Sequence, residues 1–336
     1  MRSIGSPIRC IGAADVGPLG LGCMNLSHAY GTPPEPERAA ELLRRALDLG
    51  VRHFDTAALY GFGRNETLIG EVLGADRHRI FLASKCGLTG VNGRRVLDNR
   101  PEMLKQTCHE ALTRLHTDVI DLYYLHRYDR DVPLEDSIGA LADLVREGSI
   151  RYIGLSEVST DTLRRAHAMH PIAAVQNEYS LWTRNPEYGL LEECARIGAA
   201  LVAFSPLTRG FLLGAIADPA TLAAGDIRRG MPRFQEPNLS VNLQVAGAFQ
   251  ALAREVGYTP AQLALAWLLH KAPHIVPIFG TTSPTHLEEN LAAARLVPDE
   301  DLMARLEALV TPLAIHGARY SAAAQRDIDT DEARSA

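Results

Sequence analysis

His53-Phe54-Asp55-Thr56-Ala57, Ile80-Phe81-Leu82-Ala83-Ser84-Lys85 and Ile120-Asp121-Leu122-Tyr123-Tyr124-Leu125-His126 are short β-prone runs, each with an ionisable side chain at or near its end. One similar run precedes them at residues 20–24, and four follow at 150–156, 173–179, 200–206 and 274–280, making eight in all. Segments with helical spacing lie between them. One runs from about Pro36 to Leu49, another carries Met103, Thr107, Ala111, Leu112 and Leu115, and a third carries Leu134, Ile138, Leu141, Ala142 and Val145. Strands alternating with helices predict a parallel α/β sheet. Eight such units predict a closed (β/α)8 TIM barrel, because closure pairs both edges of every strand. No G-x-G-x-x-G turn follows the first strand, and Gly20-x-Gly22 alone reads as a tight turn.

Residues 4–17 hold two β-prone pieces split by Gly12-Ala13-Ala14-Asp15, an N-terminal β-hairpin that could close the barrel's bottom. Two long connections, 87–101 and 207–239, both follow strands and therefore belong to the C-terminal face, where long loops shape binding sites. Residues 1–336 are expected to form a single barrel domain, with its core at about 7–320 and a flexible tail at 321–336. The last dozen residues, charged and alanine-rich, are expected to fray.

A chain that is 46% hydrophobic and 22% charged has enough apolar surface to fold, which excludes disorder for its bulk. No run of about 20 uncharged apolar residues predicts a membrane span. A net charge of -6 without a basic stripe argues against nucleic acid as a partner. Five cysteines, at 10, 23, 86, 108 and 194, form no C-x-x-C pair, and the first 17 residues contain no continuous apolar stretch. A cytoplasmic location is expected. His53 and Asp55 lack further ligands at metal spacing, so no metal is expected. Cys86 reads as a structural thiol, and Trp182 and Tyr188 either line the substrate mouth or cover the rim.

Asp55, Tyr60, Lys85 and His126 fall at or just beyond the ends of three consecutive strands. Each alone has an ordinary reading, as a cap, a loop aromatic, a surface lysine and a core histidine. Neighbouring barrel strands lie about 4.8 Å apart, so all four can converge above the rim. There Lys85 would stabilise the phenolate of Tyr60, Asp55 would keep Lys85 charged, and His126 would hold a carbonyl oxygen. No serine or cysteine nucleophile accompanies them, and hydride from a nicotinamide would complete a carbonyl reduction.

These residues resemble a known family, the aldo-keto reductases. The resemblance is carried by the stretch from Gly50 through Asp55 and Tyr60 to Gly61, by Asn65-Glu66 and Ile69-Gly70, and by Leu82-Ala83-Ser84-Lys85. It continues through residues 115–126, Ile153 to Ser156, Val175 to Ser180, Phe204 to Gly210, Pro232-Arg233-Phe234 and Glu288-Glu289-Asn290, covering about residues 7–320. Within the family, residues 156–159, 179–182 and 317–320 are most similar to the branch with plant auxin-induced-like reductases and perakine reductase. The resemblance implies NADP(H) bound across the barrel mouth and a small-molecule carbonyl substrate. Asp55, Tyr60, Lys85 and His126 would be the catalytic tetrad, with Tyr60 the proton donor. Ser156 and Gln176 would hold the carboxamide, and Phe204 would stack on the nicotinamide. Ser205, Leu207, Arg209 and Gly210 would cradle the pyrophosphate, Gly22 and Met24 would border the cofactor, and Glu289 and Asn290 would reach the adenine.

Where many relatives carry basic residues for the 2'-phosphate, this chain reads Gly280-Thr281-Thr282-Ser283-Pro284. Hydroxyls, notably Thr282, and a helix N-terminus can bind a phosphate there, with His286 or Arg209 assisting. NADP(H) is the expected cofactor, and NAD(H) is the alternative. Two other functions compete. Lys85 could form a Schiff base in a barrel aldolase, although Asp55 argues against a free amine. The chain could also resemble potassium-channel β-subunits, which bind the cofactor as a redox-sensing ligand with little turnover. Substrate identity and oligomeric state are not legible.

Overall fold

The structure is a computed structural model that describes residues 8–91, 93–216 and 218–332. Eight parallel strands close into a barrel, each paired with its neighbours in chain order. They are β1 Gly20–Gly22, β2 His53–Asp55, β3 Phe81–Cys86, β4 Ile120–Leu125, β5 Ile150–Ser156, β6 Ile172–Glu178, β7 Ala200–Phe204 and β8 Ile275–Phe279. The barrel expected from the alternation is therefore present, with strand ends shifted by one or two residues.

Side-chain direction alternates along a strand, so each strand feeds two separate cores. One parity gives the barrel interior, where Phe81, Ala83, Leu122, Tyr124, Ala174, Val202 and Ile278 pack together. The other parity, with Phe54, Leu82, Tyr123, Leu125, Val175 and Leu201, meets the helical sleeve. Gly154 on β5 faces the ring of Tyr124, and a β-carbon there would collide with that ring.

The sleeve consists of α1 Pro36–Asp48, α2 Arg64–Leu73, α3 Pro101–Arg114, α4 Leu134–Glu147, α5 Thr160–Met169 and α6 Leu190–Ile197, followed by α7 Asn238–Glu255, α8 Pro260–Lys271, α9 Pro284–Ala292 and α10 Glu300–Leu309. Their starts follow local chemistry. Proline occupies the first turn of α1, α3, α8 and α9, where its missing N–H costs nothing. The Thr259 hydroxyl and the Gln262 amide close a capping box on α8.

The N-terminal hairpin pairs Cys10–Ile11 with Ala14–Asp15, and Ile11 and Val16 plug the barrel bottom. Residues 4–7 of the expected hairpin lie outside the described residues.

The long connection after β3 carries a second antiparallel hairpin, Leu88–Val91 with Arg94–Leu97, beside the mouth. The tail was expected to fray, yet it is tied down as far as residue 331. A short helix, Ala322–Gln325, leads to Asp329, which accepts hydrogen bonds from the Ser159 and Thr162 hydroxyls at the start of α5. Asp331 accepts from the backbone and hydroxyl of Thr160. Two carboxylates at a helix N-terminus meet unpaired N–H groups and a favourable dipole, a long-range match that composition does not reveal. Residues 333–336 lie outside the described part.

Candidate active site

The interior parity of each strand, followed to its C-terminal end, reaches Gly22, Asp55, Lys85, His126, Ser156, Gln176, Phe204 and Gly280 in turn. Gly22 pairs with Asp55 and Gln176 with Ser156 in the strand register, so these positions form one ring above the packed core. A cavity of about 820 Å³ opens over this ring. Tyr60 reaches it from the turn between β2 and α2. That turn is fixed from behind: the Asn65 amide donates to the Cys23 carbonyl and the Ser27 hydroxyl, and its oxygen accepts from Thr56. Glu66 accepts from Ser84 and Arg114 on the outer side of β3.

At the centre, the Lys85 ammonium is fully buried and its three protons are all directed. It donates to Asp55 Oδ1, to the Thr56 carbonyl at 2.8 Å and to Tyr60 Oη at 3.3 Å. Asp55 Oδ2 accepts from Gln176 Nε2 at 2.7 Å. An ammonium has no lone pair, so Tyr60 Oη accepts from Lys85 and its own proton must point elsewhere. The ring of His126 stands edge-on to that of Tyr60, with centroids 5.9 Å apart.

The electrostatics refine the sequence argument. Burial favours a neutral Lys85 amine, but Asp55 and Tyr60 reverse this and raise its pKa above the usual value. Such a lysine is no Schiff-base nucleophile. Burial raises the Tyr60 phenol above its ordinary value and outweighs the opposing pull of Lys85. The sequence predicts that Lys85 acidifies this phenol; the structure corrects that, because burial dominates and the resting phenol is a protonated donor whose conjugate base has a cation waiting. Burial, with Arg127 and Lys85 nearby, lowers His126 well below its usual value, leaving a neutral imidazole. Burial also keeps the Cys86 thiol well above its ordinary range, as suits a structural residue in the outer core.

Most of the expected cofactor residues also line the cavity: Gly22, Met24, Ser156, Gln176, Phe204 and Ser205, then Leu207, Arg209, Gly210, Gly280, His286, Glu289 and Asn290. Thr282 does not. It is exposed, and Thr281 faces the cavity in its place, because Thr281 Oγ1 turns the chain by accepting from Ser283 N ahead of α9. Lys85 stands behind Asp55 and Tyr60, out of the lining. Ser205, Thr208 and Arg209 hold positive φ angles of 51°, 52° and 56°. Non-glycine residues adopt this region at a cost, and such strain gathers at functional loops.

The Arg209 guanidinium already has partners. It pairs with Glu178 at 2.7 Å and donates to the hydroxyls of Tyr30 and Tyr320. Burial pushes the Glu178 carboxyl up, but Arg209, Arg319 and Arg233 outweigh it and hold it at about 2. Trp182 is buried against Phe211 and Phe234, so it covers the rim, and Tyr188 is exposed.

Asn25, His28, Tyr30, Arg95 and Arg127 also line the cavity and were not singled out from the sequence. Asn25 and Arg127 had a signal, since each follows a residue that was chosen. Asn25 Oδ1 is buried in the cavity wall without a hydrogen-bond partner among the described residues.

The pattern described as the Aldo/keto reductase family matches residues 18–311. Probable aldo-keto reductase 1 of Glycine max is 40% identical over 311 residues, 91% of this chain and 89% of that protein. The aldo-keto reductase yakc [NADP(+)] of Schizosaccharomyces pombe is 39% identical over 332 residues, 97% of each. Among solved structures, an aldo/keto reductase from Klebsiella pneumoniae in complex with NADP and acetate superposes with a TM-score of 0.71 at 26% identity, covering 95% of this chain and 99% of that one. With the barrel and its ring of strand-end residues, these identities over nearly the whole length mean that the chain belongs to the aldo/keto reductase family.

Proposed function

We propose that this protein reduces an aldehyde or ketone to an alcohol with NADPH, using Tyr60 as general acid. The observation that carries this reading is the saturation of Lys85, which leaves the Tyr60 hydroxyl proton as the one free to leave. Neutral His126 donates a hydrogen bond to the carbonyl oxygen and holds it for that proton. As Tyr60 gives up its proton, the phenolate forms against the Lys85 ammonium, and Asp55 keeps that ammonium charged.

The cavity fits a dinucleotide. Gly22 and Gly280 bring bare backbone to its wall, Phe204 offers an aromatic face, and the orphaned Asn25 Oδ1 awaits a donor. Ser156 and Gln176 would hold the carboxamide. The loop carrying Ser205, Leu207, Arg209 and Gly210, strained at Ser205 and Arg209, would hold the pyrophosphate, with Arg209 acting as a charge already anchored by Glu178. Gly22 and Met24 would border the cofactor, and Glu289 and Asn290 would bound the adenine. Thr281, His286 and the N-terminus of α9 would face the 2'-phosphate. When bound, NADPH supplies the hydride. The NADP(+) in the name of the Schizosaccharomyces pombe relative and the NADP in the Klebsiella pneumoniae complex support NADP(H), and NAD(H) is the alternative because no arginine or lysine stands at residues 281–286.

The test is consumption of NADPH and of NADH against a panel of aldehydes and ketones. Turnover with NADPH on at least one carbonyl is expected. Tight cofactor binding with no turnover across the panel would defeat the proposal.

A further inference from the structure

Among the described residues four arginines line the cavity, and three of them are matched to carboxylates: Arg95 to Asp327, Arg209 to Glu178 and Arg228 to Asp226. The fourth, Arg127, follows His126 directly and makes no ion pair among the described residues. Its Nη1 donates to the His126 carbonyl at 2.6 Å and to Ser156 Oγ at 3.2 Å. Those contacts use one corner of the guanidinium and fix its plane. The Nε and Nη2 protons, the pair whose spacing matches a carboxylate, make no hydrogen bond to a described residue.

A half-buried cation beside the reacting groups, left without a counter-charge, is costly unless a ligand supplies one. The carboxylates near the reacting end are already engaged: Asp55 holds Lys85, and Asp327 holds Arg95. The cation is close enough to oppose protonation of His126 and to pull on the Tyr60 phenol. The hairpin and tail supply apolar walls through Leu88, Ala324 and Ile328, so the charge would be felt strongly. A neutral carboxamide held at Ser156 cannot neutralise it.

We infer that Arg127 docks a carboxylate on the substrate, so that the preferred substrates are carbonyl compounds carrying an acid group. This rests on the reductase reading above. The test compares 4-carboxybenzaldehyde with methyl 4-formylbenzoate, which share ring and aldehyde and differ in charge. Wild type is expected to favour the acid in kcat/KM. Arg127→Met is expected to lower the acid-to-ester ratio by about 10- to 100-fold, mainly through KM, as loss of a charge-assisted pair implies. Arg127→Lys is expected to fall between them, since it keeps the charge and loses the fork.

Calorimetric titration of the NADP(+)-loaded protein with 4-(hydroxymethyl)benzoate reads the same site without turnover, and Arg127→Met should weaken it by a similar factor. An unchanged acid-to-ester ratio, or a loss of NADPH affinity as large as the loss for the acid, would overturn the assignment. If neither aldehyde is reduced, the reductase reading is decided by the wider carbonyl panel, and the calorimetric comparison still decides whether Arg127 binds a carboxylate.

Discussion

Lys85→Met removes the cation on which the proposed proton transfer depends, and its effect can be sized from the geometry. Lys85 Nζ lies 3.3 Å from Tyr60 Oη, with both groups buried. At an effective dielectric of about 20, a full phenolate at 3.3 Å from the ammonium would gain roughly 5 kcal/mol. A transition state carrying half that charge loses about 2.5 kcal/mol, so kcat should fall by roughly two orders of magnitude. The same change strips Asp55 of its counter-charge, which costs about 3–5 kcal/mol of stability for a buried pair. A loss of activity alone would therefore be ambiguous. Adding Asp55→Asn to Lys85→Met removes the stranded carboxylate, so the double variant should regain much of the melting temperature while kcat stays low. The assay is steady-state NADPH oxidation with an aldehyde, beside a thermal melt and a cofactor titration. A single variant that binds NADPH and turns over at the wild-type rate would refute the reasoning. So would a double variant whose activity returned together with its stability.

Tyr60→Phe should abolish most reduction while leaving cofactor affinity within a few-fold, because the ring stays and only the donor goes; comparable losses in both would contradict the assigned role. Because Tyr60 titrates above its ordinary value, wild-type reduction should stay level through neutral pH and decline only in alkali, and a fall already near neutrality would contradict that assignment. His53 is buried with both ring nitrogens unpartnered among the described residues, and burial lowers it to about 4. Its unfolded form binds a proton below roughly 6.5 and the folded form does not, so stability drains away as pH falls from that value to about 4, by roughly 3 kcal/mol. His53→Leu should make the melting temperature less sensitive across that window, and an unchanged slope would exclude the residue as a source. Asp329→Ala should cost about 1–2 kcal/mol as a lost helix cap and expose the tail to proteolysis. Because the tail supplies Tyr320 and Ile328 to the cavity, the apparent KM should rise as well; an unaltered digestion pattern would show that the anchor is dispensable.

The barrel and the ring of residues at its mouth were legible in the sequence because the information is local. A strand alternates its side chains with a period of two, so Phe81-x-Ala83-x-Lys85 and Leu122-x-Tyr124-x-His126 carry the interior face to the rim by counting alone. The hairpin plugging the bottom was legible for the same reason, its turn being written in adjacent residues. What only the tertiary structure decided depends on partners far away in the chain. Whether Thr281 or Thr282 faces the cavity hangs on the entry into α9. The docking of the tail hangs on Asp329 meeting Ser159 and Thr162, 170 and 167 positions earlier, and on Asp331 meeting Thr160, 171 positions earlier. The pairing of Arg209 with Glu178, and the absence of any such partner for Arg127 among the described residues, were invisible because charge compensation is set by proximity across loops. The phenol's pKa followed the same rule: the sequence named the ammonium beside it, but only the folded chain fixed how completely water is excluded, and that exclusion outweighs the ammonium.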